Sequence, residues 1–149
     1  MDLFDWIFII SGFIFFTSII VVLISWTKGR KSLVKWVGYL LFALIIPMVF
    51  VLIYYVITGK QLKFIIYVIL ILSYLIVELC LDGIFRIDFR SKLSRHILYI
   101  LLEYAACFSF VFGAVRLDLV MGWIISIFFW ALLATLIYYI IDQNKKKQT

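Results

Sequence analysis

Five stretches of this chain run too long without charge to face water, and that fixes the solvent in which it folds. Residues 6–27, 36–59 and 119–141 contain no Asp, Glu, Lys or Arg. Residues 64–81 contain one ionisable carboxyl, Glu78, and residues 97–115 contain one, Glu103. A helix rises about 1.5 Å per residue, so about 20 apolar residues cross a hydrocarbon core of about 30 Å. Backbone groups in lipid must bond internally, which leaves helices or closed barrels. Barrel strands are about 10 residues long with alternating polarity, whereas these runs are longer and uniformly apolar. The expected fold is therefore all-α: a polytopic membrane protein, a five-helix transmembrane bundle with short loops, forming a single domain over residues 1–149.

Composition closes the alternatives. The chain is 67% hydrophobic and 15% charged, with a mean hydropathy of +1.21. Soluble domains run at about 45–50% apolar and about 25% charged, and a globule of 149 residues cannot hide the excess because its surface-to-volume ratio is too high. A soluble enzyme, a disordered tail and a disulfide-stapled secreted domain are excluded.

The basic residues set an expected orientation. The loop after the first span carries Lys28, Arg30, Lys31 and Lys35, the loop after the third carries Arg86, Arg90, Lys92 and Arg95, and the tail carries Lys145, Lys146 and Lys147. Lys60, Lys63 and Arg116 fall on the opposite side. The positive-inside rule then predicts an external N-terminus and a cytoplasmic C-terminus, in the plasma membrane. Asp2 and Asp5 stand where a signal peptide would carry positive charge, so the first span is expected to remain as an anchor. Trp6, Trp26, Trp36, Tyr54, Tyr55, Tyr138 and Tyr139 lie near span ends, where headgroups favour amphipathic rings.

The residues that break the apolar pattern are the candidate site. Glu78 lies about 6 Å and Glu103 about 10 Å inside the expected cytoplasmic edge, on consecutive antiparallel helices. Tyr67, Tyr74, Glu78 and Asp82 share one helical face, and His96, Tyr99, Glu103, Ala106, Cys107 and Phe110 share another. Intramembrane carboxyls are costly and mark proton, ion or ligand sites. Two that approach each other cannot both ionise cheaply. Glu78, Glu103, Asp82, Tyr74, Tyr99 and His96 are the expected proton-, cation- or ligand-binding residues. The structural alternative is that the carboxyls bond to neighbouring Tyr, Ser or Arg and only fix the packing.

In the third loop, Phe85, Phe89 and Leu93 recur every four residues with Arg86, Arg90 and Lys92 between them. That pattern suits an interfacial segment. Arg86, Arg90, Lys92 and Arg95 are the expected contacts for anionic lipid or phosphate. Asp82-Gly83 reads as a helix-ending pair. The Asp82-Gly83…Arg86 fragment lacks the further acidic motif that a phosphotransferase needs.

Four further features bear on packing. Pro47 removes a backbone hydrogen bond in the middle of the second span and predicts a kink against Ala43. Ala105, Ser109 and Gly113 predict a close helix seam. Gly122, Ser126, Trp130 and Ala134 predict a packing ridge on the last span, against a neighbour in this chain or in a partner. Cys80 and Cys107 lie at different depths and are expected to be packing thiols rather than a disulfide.

No cofactor and no metal site is expected, because His96 is the lone histidine and no ligand spacing is present. No catalytic set is visible. The functional expectation is a non-enzymatic, transporter-like bundle or a subunit of a larger membrane complex, with a cytoplasmic-side acidic pair. The alternative is a lipid-active membrane enzyme with an interfacial site between the third and fourth spans. Expected partners are membrane lipids, anionic ones included, and a second copy or other membrane subunits, with no nucleic acid.

Overall fold

The computed structural model describes residues 1–84 and 93–149, and within the second segment it describes side chains from Ile97 onward. The elements, in chain order, are α1 (Leu3–Thr27), α2 (Lys31–Ala43), α3 (Ile45–Ile57), α4 (Leu62–Glu78), a π-helical segment (Leu79–Ile84), α5 (Leu93–Leu117) and α6 (Leu119–Gln148). Five helical rods are long and apolar enough to cross a membrane, with α2 and α3 together forming one of them. The chain is an all-α transmembrane bundle.

The first helix is the axis. It is apolar on every side, which is the pattern of a helix enclosed by others. Phe8, Ile9, Phe15, Phe16 and Ile19 are buried along it, as are Ser11, Ser18 and Ser25. It packs on α2, α3, α5 and α6, while α4 closes the ring between α3 and α5.

The second rod breaks where the proline requires it. The ring at Pro47 displaces the Ala43 carbonyl, and α2 ends at that residue. Leu44 forms a tight connection, its N–H shared between the carbonyls of Leu40 at 3.3 Å and Leu41 at 3.2 Å. α3 then starts at Ile45.

Glycine-ended caps turn the chain at both ends of this rod. Gly29 and Gly59 adopt φ of 68° and 63°, a region that side chains with a Cβ disfavour. At the first, Arg30 N–H bonds Ser25 O at 2.9 Å and Gly29 N–H bonds Trp26 O at 3.3 Å. At the second, Lys60 N–H bonds Tyr55 O at 3.0 Å and Gly59 N–H bonds Val56 O at 3.3 Å. This double bonding satisfies the last carbonyls of the helix. It also fixes where Arg30 enters the rod and where Lys60 leaves it.

The α-helical bonding of the third span stops at Glu78 and passes into the π-helical segment, which contains Asp82 and Gly83; the chain beyond Ile84 lies outside the described residues until α5. Within this chain the ridge on α6 packs only in part. Gly122 is buried against Val115, but Trp130 and Ala134 are exposed. Steps of four residues advance about 40° around a helix beyond a full turn, so the row winds out of the interface. The seam on α5 does pack: Ser109 and Gly113 are buried, Ala105 is half-buried, and a Cβ on Gly113 would stand 2.6 Å from the Phe8 ring.

Candidate functional site

Among the described residues, two polar clusters interrupt the apolar interior, one toward each end of the bundle. The first joins α4 to α5. Tyr74 is fully enclosed, its ring edge-on to Phe15 at 5.6 Å between centroids. Its hydroxyl lies 3.1 Å from that of Tyr99, and Tyr99 O–H donates to the Glu78 carboxylate. With that proton committed to Glu78, Tyr74 O–H donates to Tyr99. The result is a directional run, Tyr74 to Tyr99 to Glu78, leading from the core to a half-buried carboxylate.

Glu103 stands one helical turn beyond Tyr99 on α5. The side chains following it, Ala106, Cys107 and Phe110, are buried. The face expected from periodicity is thus the inward face of α5, and Cys80 and Cys107 are free thiols.

Asp82 is exposed in the π-helical segment and does not share the burial of Tyr74. His96 and Arg95 fall in α5 with side chains outside the described residues, and Arg86, Arg90 and Lys92 lie outside them altogether.

The second cluster was not anticipated. Asp5 is 3% exposed, although it is a carboxylate in the first turn of a membrane helix. Tyr55 O–H donates to it at 2.8 Å, the Asp2 N–H donates at 3.1 Å, and Lys60 Nζ forms an ion pair with it. Asp2 adds a looser contact to Lys60 at 4.0 Å and accepts from Tyr54 O–H at 3.4 Å. The Lys60 ammonium sits over the Tyr55 and Phe64 rings, 4.8 and 5.7 Å from their centroids.

Local geometry explains the assembly. The glycine cap at Gly59 brings Lys60 back onto Tyr55, and the acidic first turn of α1 complements the positive end of its dipole. The available sequence signal was Asp2 and Asp5 at capping-box spacing, with a Gly-Lys pair closing the second rod.

The Asp5 carboxylate has a cation and two neutral donors. In the Glu78 cluster a carboxyl meets two hydroxyls that can each donate or accept, an arrangement suited to holding and passing a proton. No family model matches this chain, and neither a curated protein nor a solved structure is similar to it.

Proposed function

We propose that this protein is a non-enzymatic membrane bundle that takes up a proton or a small cation at Glu78 and Glu103, with Tyr74 and Tyr99 as relay groups. It acts as a transporter-like unit or as a subunit of a larger membrane complex. The observation that carries this reading is the Tyr74–Tyr99–Glu78 run, with Glu103 one helical turn from Tyr99 on α5. Such a run reverses without moving a heavy atom. When Glu78 is protonated it donates to Tyr99, which donates to Tyr74; when Glu78 is ionised both bonds turn around.

The subunit half of the reading draws on α6, the least enclosed of the spans. Trp123, Ile127, Trp130, Ala134, Ile137 and Ile141 lie along its exposed side, with Trp130 near mid-span, away from the headgroup level that tryptophan favours. Orientation with the basic loops in the cytoplasm belongs to the same proposal.

The test is infrared difference spectroscopy of the carboxyl region between pH 5 and 9, comparing wild type with Glu78→Gln and Glu103→Gln. A protonated-carboxyl band that titrates in wild type and vanishes in one variant is the expected result. If every band persists in both variants, the pair does not handle protons.

A further inference from the structure

At the end of the bundle opposite the Asp5 cluster, the close of α1, its glycine cap and the last turns of α6 line an open pocket of about 260 Å³. It is lined by Ser25, Trp26, Arg30, Lys31, Tyr139 and Gln143, together with Gly29. We propose that this pocket binds the phosphate of an anionic phospholipid headgroup.

The lining is built rather than incidental. The bonds from Arg30 N–H to Ser25 O and from Gly29 N–H to Trp26 O hold the loop against the end of α1. Lys146 Nζ donates to Thr27 O at 3.1 Å and ties α6 to the same turn. The Trp26 and Tyr139 rings pack at 5.9 Å between centroids and make the membrane-side wall.

Charge decides the ligand class. Arg30 and Lys31 bring two cations to the pocket. Asp142, the acid that α6 carries beside Gln143, is paired with Lys146 at 2.7 Å. The end of α1 and the start of α2 meet here, so their dipoles offset and the side-chain cations set the field. A guanidinium, an ammonium, a phenol and an amide are the donor set that recognises phosphate oxygens. The ligand is a headgroup because indole and phenol rings beside cations occupy the level where headgroups lie. The volume also falls below the ~300–1,000 Å³ of pockets that enclose a whole small molecule.

The experiment compares phosphatidylglycerol with phosphatidylcholine retention by native mass spectrometry of the detergent-solubilised protein. Arg30→Gln/Lys31→Gln should lower phosphatidylglycerol retention about tenfold or more. Tyr139→Phe/Gln143→Ala, which leaves every charge and hence the orientation in place, should lower it several-fold. Lys145→Gln/Lys147→Gln removes the same charge from the exposed tail and should change it by less than about twofold. Phosphatidylcholine retention should not respond to any of the three.

Equal losses in the pocket and tail charge variants would overturn the proposal in favour of diffuse surface attraction. Full retention in the charge-neutral variant would overturn it as well. Millimolar inorganic phosphate should leave phosphatidylglycerol bound; displacement by it would reassign the pocket to a free anion.

Discussion

Replacing Lys60 by Met tests whether the Asp5 cluster is a strong tie between α1 and the turn before α4. Breaking a buried pair by removing one partner costs about 3–5 kcal/mol, because the other charge is left stranded. Here the stranded carboxylate keeps the Tyr55 hydroxyl and the Asp2 amide. The lost ammonium was 22% exposed. Both facts place Lys60→Met below that range, at about 2–3 kcal/mol. Asp5→Asn should cost less, about 1–2 kcal/mol, because Lys60 retains Asp2, two ring faces and some water.

The double variant removes the stranded charge in either direction. It should be more stable than the two single losses combined would make it, by about 1–2 kcal/mol. The assay is unfolding in mixed micelles with increasing SDS, followed by tryptophan fluorescence, on all four proteins. Coupling below about 0.5 kcal/mol, within ordinary additivity, would refute the reasoning and reduce the pair to a surface contact.

Other outcomes follow from named geometry. Gly122→Ala should destabilise by about 2–3 kcal/mol and Gly113→Ala by about 1 kcal/mol in the same assay. A Cβ at 122 meets the Val115 backbone at 2.5 Å, whereas one at 113 meets the tip of the Phe8 ring, which can turn away. Tyr99→Phe should shift the carboxyl infrared band of Glu78 without abolishing it; an unmoved band would disconnect Tyr99 from the carboxylate. With Cys80 and Cys107 replaced by Ala, Lys31→Cys and Lys92→Cys should be labelled from the cytoplasm and Gln61→Cys from outside. External labelling at position 92 would overturn the five-span orientation.

What the sequence made legible was what lipid imposes locally. Run length against membrane thickness located five rods, and Pro47 located the break at Leu44. Helical period placed Tyr99, Glu103, Ala106, Cys107 and Phe110 on one inward face. Antiparallel succession then brought Tyr74, Tyr99 and Glu78 together. The Asp5 cluster was hidden because Asp5 lies 50 residues from Tyr55 and 55 from Lys60, and each already had a local explanation. Asp5 read as an N-terminal charge, Lys60 as a count in the orientation rule and Tyr55 as a belt residue. The drift of the Gly122 row was hidden for a different reason. A spacing of four looks periodic over two turns and slips over four, and only the partner's shape shows where the contact stops.

The contact between the first and last helices bears on how the protein is made. During synthesis α1 enters the membrane well before α6, yet the two pack directly on each other. Until α6 emerges, one side of the central helix has lipid where its permanent neighbour belongs, and Gly12 has no Ile125 beside it. Assembly therefore cannot finish from the front end of the chain. A nascent protein stalled before α6 would hold four rods around an axis left uncovered, in the membrane but not yet closed, and open to capture by whatever helix diffuses past.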